Sequence, residues 1–243
     1  MKDLSFLKGR LIAHRGMHNR KAKIPENSLQ AFVRAIENNY TIELDLHILK
    51  DNSVVVFHDD NLKRMTGIDE NIIDTTYDEI KSLKLNNTEN HIPLFKDVLE
   101  IVSGKVPLII EFKYDAMPGR LEEETMKLLK AYKGEFAVKS FNPLSVNWFK
   151  KNYPNIIRGQ LVSNYEHVKL NKFLKLLLKN MCFNFITKPD FISFDIQMLP
   201  NKKAEKFRKT KPVLGWVVRN KEDMRKAKGY CDNYICESME EYK

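Results

Sequence analysis

The residues TIELDL at positions 41–46 carry the pattern that decides the fold. Glu43 and Asp45 are two positions apart, so on a β-strand both carboxylates lie on one face and the aliphatic side chains around them lie on the other. Such a strand is expected to be buried on both sides, as the strands of parallel sheets are. Because a buried carboxylate is costly unless it is paired or bound to a cation, the stretch predicts a functional site on the inner face of this strand.

The residues LIIEFKY at positions 108–114 repeat the pattern further along the chain. Glu111 and Lys113 share one face of this second strand. Three carboxylates and a lysine that project into one barrel mouth suit a hard divalent cation with oxygen ligands, Mg²⁺ or Ca²⁺. The alternative is a structural network of ion pairs in which the three carboxylates bind Arg15 and Lys113.

Short apolar runs alternate with helical patterns along the chain, which indicates a parallel sheet. Strands are predicted at 11–14, 41–46, 108–113, 136–140, 158–162, 191–196, 213–218 and 233–236. Helices are predicted at 28–38, 94–102, 121–132, 143–152, 166–180, 202–209 and 222–228. Eight strands in a chain of 243 residues match a TIM (β/α)8 barrel better than a doubly wound sheet.

One segment interrupts this alternation. Residues 47–92 contain a further strand at 54–57 and a polar region with a short helix near 74–83, so they are predicted to form a small insertion between strand two and its helix. No internal repeat and no linker rich in proline or glycine divides the sequence. We therefore predict one domain over residues 9–240 that includes the insertion.

The composition excludes several classes of protein. With 43% hydrophobic and 30% charged residues, the chain is close to the globular average and unlike disordered or fibrous proteins. No apolar run reaches the ~18 residues that cross a bilayer, and the N-terminus has no signal-peptide pattern. Three cysteines, without the spacing of a metal site, fit a reduced compartment. We therefore expect a cytoplasmic protein.

The net charge of +9 favours anionic partners such as phosphates, nucleic acid or anionic lipid. Lysines spread over solvated helix faces would give the same charge without any such partner. A helix at 169–181 has apolar residues at helical spacing on one face and four lysines on the other. We interpret it as a barrel helix that packs inward, and a weak contact with an anionic membrane is the alternative.

Two histidines stand at the ends of predicted strands. His14 follows the first strand and His58 closes the strand of the insertion. Each alone is an ordinary strand-end residue, but as a pair beside the carboxylates they supply two groups that transfer protons near neutral pH. Glu26 and Asn27 open the next helix, where a capping box of Asn27 with Gln30 and an acid in the first turn explain both residues without a functional role.

A series of short motifs follows one order along the chain. The motifs are HRG at 14–16, PENS at 25–28, ELD at 43–45, HD at 58–59, IPL at 92–94, EFK at 111–113, SF at 140–141 and WVVRN at 216–220. In this order they resemble the glycerophosphodiester phosphodiesterase family over residues 10–237. The resemblance implies a TIM barrel with a small insertion after strand two, which agrees with the strand count.

The resemblance also implies the roles of individual residues. Glu43, Asp45 and Glu111 would bind the divalent cation, Mg²⁺ or Ca²⁺. His14 and His58 would act as the acid–base pair, in which one takes the proton of the attacking hydroxyl and the other protonates the leaving alkoxide. The nucleophile would be the neighbouring glycerol hydroxyl, through a cyclic phosphate, or water directly.

The remaining implied positions would lie around the substrate. Arg15 and Lys113 would neutralise charge on the phosphate, Glu26 would complete the shell of groups around the site, and Trp216 would wall it against the glycerol or the alcohol group. The expected reaction is metal-dependent hydrolysis of a small-molecule glycerophosphodiester to sn-glycerol 3-phosphate and an alcohol such as choline or ethanolamine.

Two other functions fit part of the pattern. A related phosphodiesterase that acts on lysophospholipids or phosphoinositides would use the same barrel and histidines, and the basic helix at 169–181 favours it. A non-catalytic nucleic-acid-binding protein would explain the charge, but no helix-turn-helix, zinc-finger or RNP-like signature is present, and clustered acids would repel phosphate without a metal ion. No nucleic-acid partner is therefore expected, and the oligomeric state is left open.

Overall fold

A computed structural model describes residues 2–113, 117–166 and 168–237 of the chain. Contacts divide it into two compact units, Ala13–Phe136 and Met1–Ile12 with Ala137–Lys243. The strands are β1 (Ile12–Ala13), β2 (Thr41–Ile48), β3 (Val54–Val56), β4 (Leu108–Phe112), β5 (Phe136–Ser140), β6 (Ile157–Val162), β7 (Phe191–Asp195), β8 (Val213–Val218) and β9 (Asn233–Cys236). The helices are α1 (Phe6–Gly9), α2 (Leu29–Glu37), α3 (Lys63–Thr66), α4 (Tyr77–Ile80), α5 (Phe95–Val102), α6 (Arg120–Leu129), α7 (Pro143–Asn152), α8 (Lys172–Lys179), α9 (Asn184–Thr187), α10 (Lys202–Arg208) and α11 (Lys221–Ala227).

The fold class is a TIM (β/α)8 barrel, which confirms the prediction from the sequence. Eight parallel strands have helices between them, and one extra strand, β3, follows strand two. Each strand that the sequence pattern predicts forms close to its predicted position. The domain limits at 9 and 240 and the limits of the insertion at 47 and 92 stay predictions.

Strand β2 organises the unit formed by Ala13–Phe136. It pairs in parallel with β4, and Asp45 lies opposite Glu111 in that register. It also pairs antiparallel with β3. Every residue of β2 and of β4 is buried, as expected for strands covered on both faces. The register therefore brings acidic side chains of two strands to the same level.

The insertion has a hydrophobic core of its own. The nine buried side chains that form it are Leu49, Val55, Phe57, Leu62, Met65, Ile72, Ile80, Leu85 and Ile92. Because protein cores are close-packed, this cluster fixes the backbone that carries the polar residues between its members, including His58 and Arg64. The short helix predicted near 74–83 is α4, which begins with a capping box between Thr76 and Glu79.

In the unit formed by Met1–Ile12 with Ala137–Lys243, strands β5 to β9 pair in parallel in chain order. The side chain of Asn233 on β9 donates two hydrogen bonds from Nδ2, to the carbonyl oxygen of Leu7 at 2.8 Å and to that of Arg10 at 2.6 Å. These bonds hold the C-terminal end of α1 against β9. Helices α1 and α9 were not predicted, because a single helical turn is too short to show a period.

The basic helix differs from its prediction. It spans only Lys172–Lys179, and among its residues only Leu178 is buried. Phe173 is 71% exposed and Leu176 is 56% exposed, and they share a face with exposed lysines. Of the apolar positions of α8 that were predicted to face inward, Leu178 is buried, Leu174 and Leu177 are half-buried, and Phe173 is exposed. The inward-packing interpretation therefore applies to part of the stripe.

Two features of the structure relate to the expected cytoplasmic location, the state of the cysteines and the length of the helices. Cys182, Cys231 and Cys236 are free thiols. Burial raises the pKa of Cys231 and of Cys236 to about 12, so neither is a reactive thiolate at neutral pH. Within the described part of the chain, no helix has both the length and the apolar character needed to cross a membrane. The cytoplasmic location stays a prediction.

The two leucines on opposite sides of α8 test which side of this helix is buried. Leu178→Ala should lower the free energy of unfolding by about 2–3 kcal/mol, because it removes a buried side chain and leaves a cavity. The matched variant Leu176→Ala should cost less than about 0.5 kcal/mol, because its side chain is already exposed. Urea unfolding measures both values. Equal losses would contradict the orientation of α8.

Candidate active site

Three buried carboxylates form the centre of the site. Glu43 and Asp45 project from β2, and Glu111 projects from β4. One carboxylate oxygen of each lies within 4.8 Å of the others. The alternation of side chains along a strand puts Glu43 and Asp45 on one face, and the parallel register adds Glu111. The convergence expected from the sequence is therefore found.

Two cations compensate these acids. Lys113 Nζ lies 2.6 Å from Glu111 Oε1 and 2.9 Å from Asp45 Oδ1. Arg15 Nε lies 3.4 Å from Asp45 Oδ2, and the Arg15 backbone N–H donates to Glu43 Oε2 at 3.0 Å. The side chains of Arg15 and Lys113 are mostly buried. The charge of each therefore depends on its ion-pair partners.

The pKa values of these groups follow from burial and opposite charge. Burial alone would raise the pKa of Asp45, but Lys113, His58 and Arg15 hold it well below its usual range. Burial alone would lower the pKa of Lys113, but Asp45 and Glu111 raise it above the usual value. Burial alone would also lower the pKa of Arg15, but Asp45, Glu26 and Glu43 raise it above the usual value. The charged forms therefore persist at neutral pH.

The composition of this cluster fits a divalent cation. Among the contacts that the structure describes, the three carboxylates lie with two cationic side chains, Arg15 and Lys113. The ligand atoms are all hard oxygens, which Mg²⁺ and Ca²⁺ prefer. Glu43, Asp45 and Glu111 are the residues that would hold the ion.

The turn after β1 positions His14 and Arg15. Arg15 has a φ of 54° and Gly16 a φ of 77°, both in the left-handed region. A Cβ on Gly16 would meet Phe32 Cδ1 at 2.9 Å, so only glycine allows helix α2 to pack so closely against the turn. The HRG motif therefore has a backbone reason for its glycine, and this turn directs the Arg15 N–H at Glu43.

Asn27 has a different role from the one that the sequence indicated. Ser28 caps α2 and accepts a hydrogen bond from the Ala31 N–H at 3.2 Å, so the predicted capping box of Asn27 with Gln30 is wrong. Asn27 is instead buried with a φ of 55°, and its Nδ2 donates to Asp45 Oδ2 at 2.8 Å. It orients one of the acidic side chains of the cluster.

An ion-pair chain connects the cluster to the insertion. Glu26 Oε1 accepts from Arg15 Nη1 at 2.6 Å and from Arg64 Nη2 at 2.7 Å. Arg64 also donates from Nε to Asp59 Oδ2 at 2.6 Å. Burial would raise the pKa of Glu26, but the two arginines lower it to about 2. Glu26 thus binds two arginines, and its contact with Arg64 of the insertion was not predicted from the sequence.

His58 lies at the end of this chain. Its Nδ1 donates to Asp59 Oδ1 at 2.6 Å, because the carboxylate can only accept. This contact fixes the tautomer and leaves Nε2 for proton exchange with a ligand. His47 Nε2 donates to the His58 carbonyl oxygen at 3.2 Å, and burial lowers the pKa of His47. Sequence reasoning missed His47, whose signal is its place on β2 after the acidic motif.

The structure also gives the positions of two further predicted residues, His14 and Trp216. His14 is buried at the end of β1. Trp216 lies on β8, in the unit formed by Met1–Ile12 with Ala137–Lys243, and its ring packs edge-on against Phe141 at a centroid distance of 5.5 Å. Its indole N–H is buried and finds no hydrogen-bond acceptor among the described residues. The roles assigned to individual residues stay predictions.

Residues 14–231 match the sequence profile of the Glycerophosphoryl diester phosphodiesterase family. The chain belongs to this family. The predicted enzyme class, a phosphoric diester hydrolase, is thereby confirmed at the level of the family. The match spans both the motifs of the acidic cluster and the strands beyond it.

Named relatives agree with this assignment. A glycerophosphodiester phosphodiesterase of Caldanaerobacter subterraneus is 35% identical over 64% of this chain and 67% of its own length. Lysophospholipase D GDPD1 of Rattus norvegicus is 35% identical over 55% of this chain and 45% of its own length. The chain thus spans about half to two thirds of the length of these relatives.

Among solved structures, a phosphodiesterase of Oleispira antarctica in complex with the product sn-glycerol-3-phosphate has the same fold. Its TM-score is 0.79 at 20% identity, over 95% of this chain and 93% of that one. At this identity the likeness concerns the fold.

The ion pairs of Glu26 predict a pH-dependent contribution to stability in this family member. Its pKa falls from 4.5 to about 2 on folding, so the stabilisation is present above pH 4.5 and is lost as the pH falls through about 2. Glu26→Gln should lower the free energy of unfolding by about 1–3 kcal/mol near neutral pH, and by much less in strong acid. Denaturant unfolding between these pH values measures the difference.

Glu100→Gln, on the exposed side of α5, provides the matched control for this experiment. It removes the same charge without removing a pair of arginine contacts, and should leave the unfolding free energy almost unchanged. A loss for Glu26→Gln that is the same at every pH would show that its charge is not what stabilises the fold.

Proposed function

We propose that this chain hydrolyses glycerophosphodiesters to sn-glycerol 3-phosphate and an alcohol, in a metal-dependent reaction with two histidines as acid and base. The observation that carries the proposal is the buried cluster of Glu43, Asp45 and Glu111 in a chain of this family. The relative from Caldanaerobacter subterraneus carries the name of this activity, and the Oleispira antarctica structure holds the product.

Charge compensation supports a phosphodiester substrate. A phosphodiester is an anion that repels nucleophiles, and negative charge grows on its oxygens in the transition state. Arg15 and Lys113, which already form ion pairs with the cluster, are proposed to bind these oxygens. A divalent cation bound by the three carboxylates would supply Lewis-acid stabilisation of the same charge. Glu26 is proposed to hold the guanidinium of Arg15 in place for this contact.

Proton transfer is proposed for His14 and His58. One histidine takes the proton of the attacking hydroxyl, which belongs to water or to the neighbouring glycerol carbon, and the other gives a proton to the leaving alkoxide. The bond from His58 Nδ1 to Asp59 supports its part, because it fixes the ring and leaves Nε2 for the substrate. Trp216 is proposed to wall the site against the glycerol or the alcohol group.

Removal of the metal ion tests the proposal. EDTA should abolish hydrolysis of glycerophosphocholine, and Mg²⁺ or Ca²⁺ should restore it. Either ion should also raise the melting temperature of the wild type, because it binds only the folded state, and should have no such effect on Glu111→Ala. Full activity in the presence of EDTA would contradict the metal-dependent mechanism, whichever ion is preferred.

Replacement of the histidines tests the acid–base pair. His14→Ala and His58→Ala should each reduce kcat by ~10²–10⁴-fold, and the double variant should lose less than the product of the two losses. His91→Ala is the matched control, because His91 is an exposed histidine of the insertion that bonds only the Leu83 carbonyl oxygen among the described contacts. Wild-type turnover in His14→Ala or His58→Ala, measured with folded protein, would remove that residue from the mechanism.

A lysophospholipid substrate is the second candidate. Helix α8 exposes Phe173 and Leu176 beside its lysines, a combination that suits a weak contact with an anionic membrane through residues 169–181. The relative from Rattus norvegicus is named a lysophospholipase D. The same metal-dependent assay with lysophosphatidylcholine in place of glycerophosphocholine separates the two candidates by their kcat/KM.

A further inference from the structure

A cavity of about 350 Å³ lies beside the ion-pair chain, within the unit Ala13–Phe136. Its walls come from the loop after β1 and from the insertion. Side chains that line it include His18, Arg20, Lys23, Glu26, Arg64 and Thr88. The volume lies at the lower end of the range of roughly 300–1,000 Å³ that small-molecule sites occupy.

Two lining residues connect this cavity to the proposed reaction centre. Glu26 bonds Arg15 at 2.6 Å, and Arg15 lies against the carboxylate cluster. Arg64 bonds Asp59 at 2.6 Å, and Asp59 bonds the ring of His58. One contact therefore separates the cavity wall from the group that holds His58, and two contacts separate it from Asp45. Side-chain contacts therefore connect the cavity wall to the cluster at which the phosphate is proposed to bind.

Positive charges outnumber negative charges around the cavity. Among the described lining residues, Arg20, Lys23 and Arg64 are cationic and Glu26 is acidic. Arg64 is paired with Glu26 and Asp59, so the excess positive charge comes from Arg20 and Lys23. The Glu26 carboxylate already accepts hydrogen bonds from Arg15 and Arg64, at 2.6 and 2.7 Å, so it offers little to an incoming cation. No Phe, Tyr or Trp lines the cavity among the described residues, and a quaternary ammonium group binds best to aromatic faces.

We infer that this cavity receives the alcohol group of the substrate and favours an alcohol that carries a negative charge, such as a phosphorylated polyol, over choline. The inference rests on the proposed function. Of the two ends of a glycerophosphodiester, the glycerol end carries only hydroxyls, so an anion-attracting cavity gains nothing from holding it. The alcohol end is the part that varies in charge, and Arg20 and Lys23 are then the residues that set specificity.

The test compares substrates that differ in the charge of the alcohol. Values of kcat/KM are measured for glycerophosphocholine, glycerophosphoinositol and glycerophosphoinositol 4-phosphate. The wild type should prefer the phosphorylated inositol over choline by at least about tenfold at low salt, and the preference should shrink as the salt concentration rises. The double variant Arg20→Gln, Lys23→Gln should lose about tenfold on the phosphorylated substrate. It should gain activity on glycerophosphocholine, because the repulsion of the cationic choline is removed.

The matched control is Lys96→Gln, Lys105→Gln. It removes the same charge from exposed lysines of the same unit that do not line the cavity, so it should leave the substrate preference unchanged. Equal preference in the wild type, or a double variant at Arg20 and Lys23 that behaves like the control, would overturn the inference while leaving the proposed function in place. Failure to hydrolyse all three esters in the presence of Mg²⁺ and of Ca²⁺ would instead refute the proposed function and the inference with it.

Discussion

The balance of charge around Asp45 is the constraint on which the rest of this site depends. Asp45 is buried on a strand that is itself fully buried, and Lys113, Arg15 and Asn27 stabilise its ionised form through direct contacts. Burial of a charge without such partners costs several kcal/mol. The strand register, the turn after β1 and the start of α2 each supply one of these contacts. The acidic cluster is therefore a product of several separate pieces of the chain.

The same constraint gives the insertion a structural role. The insertion carries Arg64, which binds Glu26, and Asp59, which fixes the ring of His58. Its separate hydrophobic core holds these polar groups on a rigid backbone. Such support lowers the conformational entropy that a long loop would otherwise lose when its polar groups are held in place.

Charge also connects the site to the surface around it. The excess of basic residues over acidic residues in the whole sequence says little by itself, because lysines on helix faces are solvated. Two local concentrations have more meaning. Arg20 and Lys23 stand at a cavity next to the proposed phosphate site, and the lysines of α8 stand beside the exposed ring of Phe173. In both proposals the neighbouring groups, and not the net charge, would select the anionic ligand.

The sequence by itself determined the barrel, the extra strand after strand two, and the acidic face of two strands, because alternation with periods of 2 and 3.6 residues is a local property. The sequence also indicated His14 and His58 as a candidate pair of proton-transfer groups. Only the tertiary structure decided that Asn27 bonds Asp45 and that Ser28 caps α2. It also decided that Arg64 contacts Glu26, 38 positions away, and that Phe173 of the apolar stripe of α8 is exposed. These outcomes depend on strand register and on which surfaces meet, and such long-range contacts leave no period in the sequence.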